Sequence, residues 1–231
     1  MKILSGSMLK LIAVVTMFID HTAHVFQDLP LLQYSLLTLG AREITAYYIM
    51  RKIGRLAFPI FCFLIMEGFL HTKNPRKYAL RMFLFAILSE IPFDLMVGRS
   101  IYYPKTQNVY VTLLLGFLLI WCVEYIRTEG RKAMAMGLLA AGAIVIRGDY
   151  GLRGAVLPLL LYLLRTQPAA QAIVAYPLLS GGTAAFLAFL PINLYNGQRG
   201  FIRRKPLQIA FYLFYPAHIL LLVLLKRWLM I

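Results

Sequence analysis

The sequence is poor in charge, and poorest in negative charge. Asp, Glu, Lys and Arg make up 14% of its 231 residues, and only nine residues are acidic, whereas soluble domains average about 25% charged. With 61% hydrophobic residues and a mean hydropathy of +0.73, the chain lacks the polar surface of a soluble globular enzyme. Cysteine is nearly absent as well. Cys62 and Cys122 both lie inside apolar runs, which argues against a disulfide framework and for buried free thiols that act as small hydrophobes. Histidine is too sparse for a metal centre: Asp20, His21 and His24 are the one close grouping, and three ligands within five residues of one helix cannot all converge on an ion. No metal is expected. There is also no internal repeat, low-complexity tract or linker, so a single domain over residues 1–231 is expected.

Long apolar runs fill the space that charge leaves. A bilayer crossing takes roughly 20 apolar residues, and by that measure about eight runs qualify: 9–26, 53–70, 78–97, 109–126, 133–146, 154–164, 172–195 and 208–229. Residues 29–50 mix leucine and tyrosine with Gln33, Arg42 and Glu43, a pattern expected at the interface. The expectation is an all-α integral membrane protein, a single bundle of about eight transmembrane helices with an interfacial segment after the first. That first run has no small-residue cleavage site behind it and is expected to stay attached as an anchor.

The formal net charge is +15. Its cations sit in short caps between apolar runs, a distribution suited to lipid headgroups or an anionic substrate and not to nucleic acid. With alternating spans the cations divide almost evenly. Lys2, Lys10, Lys226 and Arg227 fall on one side, and Arg199, Arg203, Arg204 and Lys205 on the other. The positive-inside rule therefore gives no orientation.

The first run breaks its own pattern with Asp20, His21 and His24. Asp, Lys or Arg at the centre of a span costs about 2.5–3.5 kcal/mol on insertion scales, and ionisable residues survive mainly against a bundle interior or a polar cavity. Eleven steps of about 100° put Lys10 and His21 on one helix face, roughly 16 Å apart along the axis. That is about the reach of a pantetheine arm; the plainer alternative is that Lys10 snorkels as a basic flank. Asp20 beside an imidazole would fix its tautomer and stabilise the imidazolium. His24, one turn on, can bond Asp20 or a backbone carbonyl. Later runs add Arg51 and Arg55, Glu67, Glu90 and Asp94, Asn108 and Thr112, Asp149 and Tyr150, and Tyr212, Tyr215 and His218. With alternating spans, most of these share a leaflet with the second half of the first run. One polar cavity is expected, with His21 at its inner end and Glu90, Asp94, Asn108, Thr112, Asp149, Tyr215 and His218 around it. In the structural alternative, Arg55 pairs with Glu90 or Asp94.

These residues fall in a set of motifs: Leu4-Ser5-Gly6, Leu9-Lys10-Leu11 and Ile19-Asp20-His21; Ile53-Gly54-Arg55-Leu56-Ala57-Phe58-Pro59 with Glu67-Gly68-Phe69; and Ser89-Glu90-Ile91-Pro92-Phe93-Asp94. Asp149-Tyr150-Gly151, Leu194-Tyr195-Asn196-Gly197 and Phe211-Tyr212-Leu213-Phe214-Tyr215-Pro216-Ala217-His218 complete it. As a set, over nearly the whole chain, they resemble the TraX family of membrane acetyltransferases, relatives of the transmembrane acyl-CoA acyltransferases. The resemblance implies a bacterial cytoplasmic membrane protein with its N-terminus inside. The donor it implies is cytoplasmic acetyl-CoA or another acyl-CoA. The acceptor is a peptide or protein N-terminus of the pilin kind, or a glycan or small molecule, in the setting of conjugation.

On that footing His21 is the expected base, Asp20 its orienting or charge-stabilising group, and Arg55 the cation for the oxyanion. Lys10, Lys73, Arg76, Lys77, Arg81, Arg127, Arg131 and Lys132 are expected to hold the donor phosphates. Two other classes fit the same residues. One is a proton-coupled transporter with Asp20, His21, Glu90 and Asp94 as a relay. The other is a non-enzymatic assembly factor for conjugation.

Overall fold

The computed structural model describes residues 2–40, 42–179 and 181–229. It is mostly helical, as the apolar runs require, since a helix satisfies its own backbone without water. The chain forms two compact units. One runs from the N-terminus to Ile60 and resumes at Thr183; the other is Phe61–Gly182.

In the first unit, Ser5 caps α1 (Gly6–Val25), its hydroxyl accepting from the Met8 N–H. A short α2 (Pro30–Gln33) follows. An antiparallel hairpin then forms from β1 (Ser35–Leu39) and β2 (Arg42–Thr45), with Leu37 opposite Ile44 and Thr38 opposite Glu43. The hairpin departs from an all-α expectation. Threonine and isoleucine favour strands, and Gly40 adopts φ +60° in the connection. Thr45 then caps α3 (Ala46–Gly54), which lies against α1. Gly54 makes that approach possible, because a methyl group there would overlap the Asp20 side chain. After a break at Arg55 and Leu56 the chain continues as α4 (Ala57–His71), beginning in this unit and ending in the next.

The first unit closes with α10 (Thr183–Phe186), α11 (Phe189–Asn193) and α12 (Lys205–Trp228). The loop before α12 is fastened to the start of α1. Gly6 N–H donates to the Gln198 carbonyl, Ser7 N–H to that of Arg199, and the buried Ser7 hydroxyl bridges the Arg199 carbonyl and the Ile202 N–H. At the far end Lys226 donates to the Val25 carbonyl and to Asp28, at 2.8 and 2.6 Å. α1 and α12 therefore run parallel. The alternating-span expectation put Arg199, Arg203, Arg204 and Lys205 opposite the start of α1; the structure puts this segment beside it.

The second unit holds α5 (Pro75–Val97), α6 (Val109–Tyr125), α7 (Glu129–Ile146), α8 (Gly151–Leu163) and α9 (Pro168–Ala175). α6 packs on α5, α7 and α8. The rings of Phe69, Tyr78, Phe117, Trp121, Tyr125 and Tyr162 meet edge to face along one end. Cys62 and Cys122 are buried and free.

Eight spans were expected; among the described residues three helices are long and apolar enough to cross a membrane: Gly6–Val25, Ala46–His71 and Lys205–Trp228. These support a membrane location. The expected run 172–195 is not one helix. It is divided among α9, a 3-10 turn at Tyr176–Leu178, α10 and α11. Gly182 sits at φ +58°, which no α-helix contains, and Pro177 has no N–H to donate to the preceding turn.

Candidate functional site

The polar residues singled out in the apolar runs gather in two clusters, one within each unit. In the first unit the α1–α3 and α1–α12 contacts converge on the second half of α1. Asp20 faces α3, where Arg51 Nη1 donates to its Oδ2 at 2.6 Å. Arg55 acts on the same carboxylate electrostatically. The remaining oxygen, Oδ1, is buried with no hydrogen-bond partner among the described residues. Asp20 is thus engaged by a guanidinium and does not orient His21, which corrects the first expectation. The reason is helical. Consecutive residues diverge by about 100°, so Asp20 meets α3 while His21 meets α12.

His21 is half-buried, and its Nδ1 lies 2.7 Å from Nε2 of the buried His218. The ring planes are parallel within 2° and the centroids 4.9 Å apart. Parallel rings suggest a face-to-face stack, but the nitrogens are closer than about 3.5 Å, the contact distance such a stack would impose. The two imidazoles lie edge to edge in nearly one plane, the geometry of an N–H···N bond. His218 Nδ1 in turn lies 2.6 Å from the Phe214 carbonyl one turn earlier. Phe214 covers one face of the His218 ring at 4.6 Å, and Tyr215 presents an edge to both histidines. Lys10 sits half-buried three turns before His21 on the same helix, with Arg199 near enough to repel it.

The second cluster lies where α5 ends, α6 begins and the α7–α8 turn returns. Asn108 Nδ2 donates to Glu90 Oε2 and to the Ala86 carbonyl, while its Oδ1 caps α6 through the Tyr110 N–H. Asp94 Oδ2 accepts from the Tyr103 N–H at 2.9 Å. The turn carrying Arg147 and Asp149 pairs with the Gln107 backbone, and Gly148 passes so close to Thr112 that a β-carbon would sit 2.5 Å from its hydroxyl. Ser89 Oγ, Glu90 Oε1, Asp94 Oδ1 and Thr112 Oγ1 are buried without partners among the described residues. So Glu90, Asp94, Asn108, Thr112 and the Asp149 turn do come together, partly as loop scaffolding.

Apart from Lys10 on α1, the expected phosphate-binding cations spread around the second unit. Lys73 and Arg76, with Asn74, Pro75, Trp121 and Tyr125, line a cavity of about 340 Å³ between the start of α5 and the end of α6. Lys77 is exposed in the first turn of α5, where Asn74 Oδ1 caps its N–H. Arg81 lies over the Tyr78 ring, Lys132 is held by Glu129 one turn away at 2.8 Å, and Arg127 and Arg131 are exposed. Sequence reasoning missed the pairing of His218 with His21 and of Arg51 with Asp20. Both partners stood out as polar residues in apolar runs, but nothing in their spacing names the helix they meet.

The motifs that bear these contacts are spread from end to end of the chain. A family model described as TraX protein matches residues 5–226. The chain is also similar to the probable fimbrial assembly protein FimC, serogroup H1, of Dichelobacter nodosus, with 28% identity over 97% of each chain. No solved structure matches it. The match runs from the Ser5 cap of α1 to Lys226, which ties α12 back to α1, and so takes in both clusters: the chain belongs to the TraX protein family.

Proposed function

We propose that this protein is a membrane-embedded acyltransferase that moves an acetyl or other short acyl group from acyl-CoA to an amine or hydroxyl, with His21 as general base. One observation carries the reading. In the last third of an apolar helix an imidazole is held in place by a buried hydrogen-bonded partner and packed aromatic rings. A histidine so constrained suits proton transfer at a fixed position. The acceptor N–H or O–H gives its proton to His21 as its nitrogen or oxygen bonds to the thioester carbonyl. The C–S bond then breaks, and the proton leaves with the coenzyme A thiol. With Arg51 committed to Asp20, Arg55 is the cation proposed for the developing oxyanion.

The cavity at Lys73, Arg76, Trp121 and Tyr125 supports a donor site. It combines a guanidinium and an ammonium with two aromatic faces, groups suited to a phosphate ester that carries a flat base. In Lys73→Ala and Arg76→Ala the KM for acetyl-CoA is expected to rise about tenfold with kcat nearly unchanged, since each removes a charged hydrogen bond from ground and transition state alike. Unchanged kinetics would return both residues to lipid-headgroup contact.

The FimC relative is described as acting in fimbrial assembly. On that likeness a fimbrial or pilin-like subunit is the acceptor proposed here; the cytoplasmic membrane, with the N-terminus of this chain inside, is the location proposed with it. Labelled acetyl-CoA, the reconstituted protein and a peptide with a free N-terminus test the activity directly. Flux driven by a pH gradient without any acyl donor would instead support the transporter reading.

A further inference from the structure

We propose that His218 is a positioning residue that fixes His21 in the tautomer with Nδ1 protonated and Nε2 free, and that it takes up the proton His21 releases during the reaction. This rests on the acyltransferase reading only for the identity of the reaction; the tautomer follows from the hydrogen bonds.

The chain of assignment starts at a group with no choice. The Phe214 carbonyl can only accept, so His218 Nδ1, 2.6 Å away, carries a hydrogen. A neutral imidazole has one N–H, which leaves a lone pair on His218 Nε2. That nitrogen must accept, so the donor at 2.7 Å is His21 Nδ1–H. One N–H is then spent on His21 as well, and its Nε2 is left with a lone pair. The coplanar rings aim the His218 Nε2 lone pair along the His21 Nδ1–H. Free histidine in water favours the opposite tautomer, with the hydrogen on Nε2.

The same chain moves a proton. When the acceptor gives its proton to His21 Nε2, the hydrogen on Nδ1 crosses to His218 Nε2. His21 returns to neutrality with its hydrogen on Nε2. The positive charge rests on His218, whose Nδ1–H already points at a carbonyl dipole. Reversal delivers one proton to the departing thiolate, so the pair ends as it began. The other charged or titratable groups acting on this pair are His24 from α1, Arg51 from α3 and Tyr215 from α12.

The test uses full-length protein in lipid nanodiscs with ¹⁵N-labelled histidine, at a pH where both rings are neutral. The His21 signal is assigned by its loss in His21→Gln. His21 is expected to show a protonated Nδ1 and a bare Nε2. In His218→Phe it should revert to Nε2–H. In His218→Gln, whose side-chain carbonyl still accepts from Nδ1–H, it should keep the wild-type tautomer. For acetyl transfer, kcat is expected to fall about 10- to 100-fold in His218→Phe and less in His218→Gln, with the KM for acetyl-CoA unchanged. A wild-type His21 protonated at Nε2, or a tautomer unmoved in His218→Phe, overturns the proposal. If the tautomers behave as expected but no acyl transfer is found, the acyltransferase reading falls and the positioning role stands.

Discussion

His21→Ala is expected to lower acetyl transfer by about 10²- to 10⁴-fold, the contribution of a well-placed general acid or base, while leaving the protein folded and inserted. Removing the ring deletes the nitrogen that takes the acceptor's proton. It also removes the donor that His218 Nε2 accepts from. His218 keeps its bond to the Phe214 carbonyl and its contact with Phe214, so α12 retains most of its local packing. The loss should therefore appear in kcat, with the KM for acetyl-CoA within about twofold of wild type. Equal protein levels and melting temperatures by fluorescence size-exclusion would establish that fold is preserved. Undiminished transfer by this variant would remove His21 from the chemistry and, with it, the proposed function.

Arg51→Met is expected to act on stability instead, by about 3 kcal/mol or more. Breaking a buried ion pair from one side strands the other charge, and Asp20 is left with the electrostatic influence of Arg55 alone. Its Oδ1 already lacks a hydrogen-bond partner and its Oδ2 bonds Arg51 alone among the described residues. The pair is well covered, with side chains 23% and 16% exposed, so solvent screens it less than it would a surface bridge. Asp20→Asn in the same background should recover much of the loss, because a neutral amide does not need the guanidinium. Thermal unfolding in detergent or nanodiscs reads both variants. An Arg51→Met protein as stable as wild type would show that Arg55 alone compensates Asp20, or that the carboxyl is neutral in the fold. Either result dissolves the pair as a structural tie between α1 and α3.

The apolar runs made the helical character and membrane location legible. Helices are local, and the Ser5, Thr45, Asn74 and Asn108 caps lie close to where composition changes. The interruption of run 172–195 was less visible, because its Pro and Gly residues are few and its mean hydropathy stays high. At the site, His21 stood out from sequence because a charge inside an apolar helix is costly. Its partner could not be derived. Eleven residues on one helix fix a face, but the pairing of His21 with His218 and of Asp20 with Arg51 depends on which helices become neighbours, a property of the whole fold. Alternation of spans grouped Glu90, Asp94, Asn108 and Thr112, which the structure gathers in one cluster, but it also placed Tyr215 and His218 with them, and these belong to the cluster of the first unit. It failed for α12 because the route between α1 and α12 does not keep to simple alternation.

That route has a consequence for the two chain ends. α1 and α12 are both long enough to cross a bilayer, begin side by side at Ser7 and Ile202, and finish side by side at Val25 and Lys226. If both helices cross, they cross in the same direction. In that case an epitope fused before α1 and one fused after α12 are expected on opposite faces of the membrane, which antibody labelling of intact and permeabilised cells reads.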